Sequence, residues 1–493
     1  MGNLVAFVVA TSLVASFMLC RFFYTYRLAR SQFPGPPVRN FWVGNLDQVM
    51  ADDVHKKWLQ WNREYGQIFQ TWNGPFSRVI YIGNPRIVAT IATANWPKSA
   101  AQYEGFRPLD GDALFLQTDL KKWRIQSKRL APAFQPLVIQ AQYPCLKKHL
   151  ENYIQHLDHA AQAGDVVDLA SLHVLVTLDI IGDIAFGAEL HAISQGPGCL
   201  ILRLFDEILP ELMKCGLFPL RAKIPIFQKT RDMHRAIRQI RSIAKNSIAH
   251  ARCGGEYDEK GQARKVEQKI FEILATQKEP DGNYTFSEKE LCDDYIAFLV
   301  AGGDPTAHTM SFAIYQVLRH PEVYAKLRAE IYDSIPDDTV IPTLGQIQLP
   351  YLGMVIKETL RYSSPGFGTF RECPVATEVA GVTLPEKTTL ALWNPGVHRD
   401  PRLWDDPDTF DPERWRSGES RVAGSYFPFS YGPRSCVGKG LAMLEMTLVL
   451  ATVFRRYDLS LEPGFEMEYM PSFTLKPKNG LPVRLKLNTT SVR

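Results

Sequence analysis

The chain has 493 residues, 45% of them hydrophobic and 22% charged, with a formal net charge of +4. That length allows several domains or one large one, and so small a charge gives no reason to invoke a nucleic-acid partner. The eight cysteines, at positions 20, 145, 199, 215, 253, 292, 373 and 436, form no CxxC pair, which fits reduced thiols facing a cytosolic compartment better than a disulfide framework. After residue 40 there is no proline- or serine-rich linker and no repeat. A single large catalytic domain over residues 33–493 is therefore expected, behind a distinct segment of residues 1–32.

Leu4 to Cys20 is an uncharged, largely apolar run, followed by Arg21, Arg27 and Arg30. As a helix it would span roughly 26 Å, just short of a ~30 Å hydrocarbon core. Phe22, Phe23, Tyr24 and Tyr26 extend it as an interfacial aromatic belt, and the positive charges on its C-terminal side place the body in the cytoplasm. A cleaved signal peptide is the competing reading. It is weakened because Met1-Gly2-Asn3 carries no side-chain positive charge and no small-x-small site precedes Arg21. Gly2 fails the myristoylation pattern, because Ala6 stands where Ser or Thr is needed. A single-pass signal anchor is expected, ending before Phe33-Pro34-Gly35-Pro36-Pro37, which cannot continue a helix. Asn283-Tyr284-Thr285 and Asn488-Thr489-Thr490 are glycosylation sequons, and both should be empty in a cytosolic body.

In the body, Val79 to Ile82 and the neighbourhood of Ile87 and Val88 predict a small β-region. Residues 120 to 330 read as mostly helical from their three- and four-residue apolar spacing. Cys253 to Thr285, rich in Glu, Lys, Gln and Gly, reads as a solvated helix with mobile ends. Tyr295 to Leu318 predicts a long apolar helix interrupted at Ala301-Gly302-Gly303-Asp304-Pro305-Thr306. Another helix begins near Tyr351 and ends before Pro365, and carries Glu358 and Arg361 on one face. Strand-like pieces follow at Val379–Leu384 and Thr388–Trp393. The expected class is mainly α with a minor β region.

The most informative stretch comes late: Phe429-Ser430-Tyr431-Gly432-Pro433-Arg434-Ser435-Cys436-Val437-Gly438, followed by a buried-helix pattern from Leu441 to Phe454. A cysteine at a helix N-terminus faces unpaired N–H groups and the positive end of the helix dipole, which favour its thiolate. Gly432 and Gly438 let the backbone bend and lie against a planar ligand. Arg434 offers a forked donor to a carboxylate, and Phe429 would shield the sulfur. A buried free cysteine in a glycine turn is the bland alternative, and five matched positions in front of a helix argue against it.

This Phe-x-x-Gly-x-Arg-x-Cys-x-Gly pattern closely resembles the haem-thiolate loop of cytochrome P-450 enzymes, and the resemblance extends over nearly everything after residue 33. It implies the cytochrome P-450 fold, a haem b held by Cys436 as axial thiolate and metal ligand, and Phe429, Gly432, Arg434 and Gly438 as cofactor-binding residues. Glu358-Thr359-Leu360-Arg361 and Phe410-Asp411-Pro412-Glu413-Arg414-Trp415 resemble the family's Glu-x-x-Arg motif and its partner, which makes Glu358, Arg361 and Arg414 structural. Trp123 and Arg371 match propionate-binding positions. The arginine usual four residues after that tryptophan is Ser127 here, so its contact is expected to weaken or to pass to Lys128 or Arg124. The Pro34–Pro37 segment resembles the family's proline hinge.

Ala301 to Thr306 resembles the family's distal motif, in which a threonine relays protons to the reacting oxygen; that position is Pro305 here. Proline inside a helix costs ~3 kcal/mol. Asp304 and Thr306 are the candidate catalytic residues, Ala301 is a cofactor neighbour, and Asp304 with His308 is a candidate acid–base pair. Substrate-facing segments carried over by resemblance are Tyr103–Phe115, Leu204–Phe218, the surroundings of Phe298 and Ala301, Gly366–Thr369 and Phe473–Leu475. Their apolar composition implies a lipophilic small-molecule substrate. Lys121, Lys122, Arg124, Lys128, Arg129 and Lys439 form either a solvated basic face or a docking patch for an acidic electron donor.

The resemblance implies a monooxygenase of the endoplasmic reticulum membrane with its catalytic domain in the cytosol. It would use dioxygen and electrons from NADPH through a separate NADPH-cytochrome P-450 reductase, since no flavin module follows the cysteine loop. The meander from Trp404 to Trp415 suggests a fungal enzyme of secondary-metabolite biosynthesis. Loss of the relay threonine keeps open a haem-thiolate enzyme that isomerises, dehydrates or rearranges its substrate. A haem-binding sensor without turnover is a third reading.

Overall fold

The computed structural model describes residues 2–186, 188–217, 219–224, 226–253, 269–336, 339–418 and 422–488, and the side chains from residue 15 onward, apart from those of residues 186, 217, 219 and 220. The chain is mainly helical with small sheets, as expected. A distal helix, Glu288–Arg319, runs through the centre, and its buried residues lie on every face. Its start is held by a capping box, in which the Ser287 side chain accepts from the Glu290 N–H while Glu290 reaches back to the Ser287 N–H.

The distal helix is continuous across Pro305, where the sequence predicted an interruption. The reason is energetic. Leu291, Ile296, Leu299, Met310, Phe312, Ile314 and Val317 are each at most 2% exposed, and burying each contributes about 1.5–3 kcal/mol. That outweighs the ~3 kcal/mol cost of the proline several times over. Leu169–Phe186 packs along this helix, and the proximal helix Lys439–Arg456 and the helix Pro350–Tyr362 cover its other side.

A four-stranded sheet lies at one end, in the spatial order Ile68–Trp72, Arg78–Ile82, Thr389–Trp393, Gly368–Glu372. Arg78–Ile82 runs parallel to Thr389–Trp393, and the outer pairs are antiparallel. Phe69 stacks on Tyr81 at 4.7 Å, and with Trp61 and Trp393 they form a separate aromatic core against the helix Val54–Tyr65. The expected strand piece Val379–Leu384 is split by a turn at Ala380 and Gly381, at φ of 52° and 77°, into the hairpin Thr377–Val379 with Val382–Leu384, while the expected piece Thr388–Trp393 supplies the sheet strand Thr389–Trp393.

Two sequence expectations change. Ile87 and Val88 lie in a helix, Pro85–Thr93, because the Asn84 side chain accepts from the Ile87 N–H at 3.2 Å and Pro85 presets the first turn. In Cys253 to Thr285, residues 254–268 lie outside the described residues. The helix Ile270–Thr276 is packed into the core through Ile270, Phe271, Leu274 and Ala275 rather than solvated.

The N-terminal helix Gly2–Gln32 stops where the proline segment begins. Its last turns dock on the sheet: Tyr26 meets Trp72 at 4.7 Å, and Arg78 donates to the Ala29 carbonyl at 3.1 Å. Gly35 is required here, since a Cβ would lie 2.1 Å from the Gln70 carbonyl oxygen. Among the described residues no helix is long and apolar enough to cross a membrane.

Candidate functional site

The cysteine loop is shaped by its own backbone. The Cys436 N–H donates to the Phe429 carbonyl at 2.8 Å, closing the turn three residues before the proximal helix starts. Gly432 has φ +73°, and a Cβ there would lie 2.6 Å from the Ala92 carbonyl oxygen, so only glycine fits. At Gly438 a Cβ would sit 3.9 Å from the Cys436 Sγ, an ordinary contact, so the space in the chain alone does not demand glycine there.

Cys436 lies deep in the body yet its surface is exposed, so it borders open space. Burial pushes its thiol pKa up, opposed by the N–H groups of Gly438 and Lys439 and the charges of Lys439 and Lys98. The sequence predicted a net lowering by the helix terminus. In the chain alone desolvation outweighs those dipoles, and a bound cation is what would make the thiolate the stable form.

Nearby, three cations converge without a counter-charge. Arg434 is 8% exposed; its Nε donates to Asn95 Oδ1 at 3.0 Å and its Nη1 to the Gln117 carbonyl at 2.8 Å, while its Nη2 is buried without a partner. Arg371, 1% exposed, donates through Nη1 to Thr369 Oγ1 at 3.2 Å, and its Nε is also orphaned. Lys98 donates to the Phe115 carbonyl, with its Nζ 4.5 Å from the Tyr103 ring centre and 4.1 Å from that of Phe115. The Arg434 guanidinium lies over buried Trp123 at 4.4 Å.

Burial, then Arg371 and Arg434, push the Lys98 pKa well down; burial and then Arg371 bring Arg434 to about 9. None of the three is in an ion pair among the described residues, so buried positive charge is left uncompensated. A planar ligand with two carboxylates supplies what is missing. The orphaned guanidinium atoms beside a cysteine that borders open space fit a haem with its two propionates.

Lys98 is the residue that sequence reasoning missed. Its only signal was a charge inside the apolar stretch Trp96-Pro97-Lys98-Ser99. Arg124 and Lys128, the replacements expected for the contact at Ser127, are both exposed. The 100° step per helical residue puts neither on the face of buried Trp123. Arg129, also in the expected basic group, reaches Glu279 and Glu290 at 4.0 and 3.8 Å, while Lys121, Lys122 and Lys439 are exposed.

On the distal side, Ala301 is exposed to open space, and its carbonyl lacks the usual i+4 donor because Pro305 has no N–H. Thr309 Oγ1 donates to the Pro305 carbonyl at 2.7 Å. Burial pushes Asp304 up to about 6, opposed by Lys476 and aided by Asp206. Thr306 is 5% exposed and one residue further round. The expected Asp304–His308 pair is not formed: His308 Nδ1 meets Thr474 Oγ1 at 3.1 Å, and burial brings its pKa down to about 3, so it is neutral. Thr474, in the bend between the strands Tyr469–Pro471 and Leu475–Pro477, competes for the imidazole and wins.

The substrate-facing segments are partly brought together. Phe473 meets Phe106 at 5.7 Å and Phe115 at 6.1 Å, and Tyr103 Oη lies 3.1 Å from Thr369 Oγ1. Phe298 packs on Phe134 at 5.5 Å instead, and Phe218 lies outside the described residues. Behind the cysteine loop, Glu358 accepts from Arg361 Nε at 2.9 Å and Nη2 at 2.8 Å, Arg414 Nε at 2.9 Å, Trp415 Nε1 at 3.0 Å and the Asp411 N–H at 2.9 Å. Every acceptor position of that carboxylate is filled, which is a structural role.

The Cytochrome P450 family matches this sequence over residues 34–483. The chain belongs to that family. Putative cytochrome P450 CYP13A4 of Caenorhabditis elegans is 28% identical, over 87% of this chain and 88% of the relative. Cytochrome P450 4A24 of Sus scrofa is 26% identical, over 93% and 92%. Thromboxane-A synthase of Sus scrofa is 26% identical, over 98% and 97%. Membership makes the chain a haem-thiolate oxidoreductase with an axial cysteine. These relatives are animal proteins and do not support the expected fungal biosynthetic origin.

Proposed function

We propose that the chain is a monooxygenase that oxidises a lipophilic small molecule with dioxygen and with electrons from NADPH, delivered by a separate NADPH-cytochrome P-450 reductase. The observation that carries this is the accessible, deeply set Cys436 beside three buried cations without a counter-charge. When bound, the haem supplies the oxygen-activating and electron-accepting chemistry. Trp123, Arg434, Arg371 and Lys98 would hold its propionates, and Cys436 its iron. Phe106, Phe115 and Phe473 form an aromatic cluster that would line the substrate side. Asp304 is suited to passing protons near neutral pH because burial has raised it to about 6. The Ala301 carbonyl, without its i+4 donor, would accept a hydrogen bond from water or a substrate hydroxyl where a threonine would otherwise act.

The anchor and the location at the endoplasmic reticulum remain part of this proposal. Exposed Phe17 midway along the N-terminal helix, with exposed Tyr24, Trp42 and Phe76 nearer its docked end, support an interfacial seat. The absorption spectrum of the reduced protein under carbon monoxide tests the core reading. A strongly red-shifted haem band is expected, and a band typical of histidine ligation would overturn thiolate coordination by Cys436.

Pro305 favours a second reading, in which the same site isomerises, dehydrates or rearranges an oxygenated substrate without simple hydroxylation. One relative is named a synthase. Turnover independent of NADPH and dioxygen would select it.

A further inference from the structure

A second cavity, of about 520 Å3, lies between the helix Val54–Tyr65, the C-terminal end of the distal helix and the turn Arg361–Ser364. Neither Cys436 nor any of the three buried cations lines it. Its size falls within the roughly 300–1,000 Å3 of small-molecule sites. Aromatic rings make the walls: Trp58 stands edge-on to Phe367 at 5.3 Å, and Tyr469 lies 6.1 Å from the His55 ring. Ser363 and Ser364 lie at its base, 5% and 6% exposed, and the Ser363 hydroxyl is 3.4 Å from Tyr469 Oη.

The arginines of the rim already have counter-charges. Glu466, the only acid lining the cavity among the described residues, is engaged by Arg319 at 2.7 Å and Tyr315 Oη at 3.1 Å. Arg399 is stacked over Tyr362 at 4.1 Å and paired with Asp408 at 2.6 Å. Lys56 is exposed and has no ion pair among the described residues. Flat aromatic walls, buried hydroxyls and an unpaired cation at the mouth select for one chemistry.

We infer that this cavity is a second ligand site, built for a flat lipophilic molecule bearing one acidic group and distinct from the space beside Cys436. Its inner wall includes Phe367 and Leu475, which stand in two of the segments expected to face substrate. An occupant would therefore press on the substrate side without touching the cysteine loop. The existence of the site does not rest on the oxygenase reading; only its influence on substrate does.

Calorimetric titration of the full-length holoprotein with 2-naphthalenesulfonate tests it, with the haem side first saturated by 4-phenylimidazole and checked by the shift of the haem band. Binding of one equivalent is expected to persist under that saturation. Lys56→Glu should weaken it about tenfold by turning a rim attraction into repulsion. Leu59→Trp, which fills the mouth, should abolish it, and both variants should keep the wild-type haem spectrum. Displacement by phenylimidazole, no binding, or unchanged binding in both variants would overturn the inference. Failure of phenylimidazole to shift the haem band would count against an open ligand position opposite Cys436 instead, and the two variants would still read this site.

Discussion

Replacing Lys98 with methionine keeps the stem and removes one of three mutually repelling buried cations, so it should change the haem-free and haem-bound proteins in opposite directions. In the haem-free chain the Lys98 pKa lies well below the ordinary lysine range, because of burial and then Arg371 and Arg434. The unfolded chain therefore binds more protons, and stability should rise with pH between the folded value and the ordinary ~10.4. Lys98→Met should raise the melting temperature of the haem-free protein at pH 7 and flatten that rise. With haem bound, the same change removes a charge-assisted hydrogen bond of about 1.5–3 kcal/mol, which is about 10- to 150-fold in affinity. Wild-type haem affinity should also fall as pH rises, since the propionates must bind the ammonium form. Haem transfer to an acceptor globin at pH 7 and pH 9, with thermal melts of both forms, measures all of this. A variant that leaves haem transfer and the haem-free melt unchanged would refute the idea that these cations await two carboxylates.

Glu358→Ala leaves Arg361 and Arg414 buried without their carboxylate and should cost ~3–5 kcal/mol, read as a lowered melting temperature with loss of haem. Asp304→Asn should stabilise the protein at pH 8 by about 3 kcal/mol and do nothing below pH 3. The folded carboxyl titrates at about 6 rather than 3.8, and ~1.4 kcal/mol corresponds to each pKa unit. The benefit should appear as pH rises from about 4 to 6; a constant difference across pH would contradict a raised pKa. Pro305→Thr restores the relay hydroxyl and should raise product formed per NADPH while lowering peroxide release, and unchanged coupling would show that Pro305 only shapes the helix.

The cysteine loop, the Glu358–Arg361–Arg414 lock and the mainly helical class were legible in the sequence because their chemistry depends on close spacing along the chain. Gly432 cannot be another residue at its φ, a carboxylate three residues from an arginine shares its helix face, and apolar periodicity marks the long helices. The end of the N-terminal helix at the proline segment is of the same kind.

What depended on distant partners was not legible. Lys98 joins Arg371 and Arg434 across more than 270 residues, and no local pattern marks it. His308 has Asp304 one turn away, and the tertiary structure gives it to Thr474 instead. The cysteine loop shows that the thiolate is wanted, but whether burial or helix dipole governs that thiol is a matter of how much protein surrounds it. Sequence determines what each residue can do within its own turn of chain. Burial, and the charges that burial brings together, are set only when segments far apart close over one another.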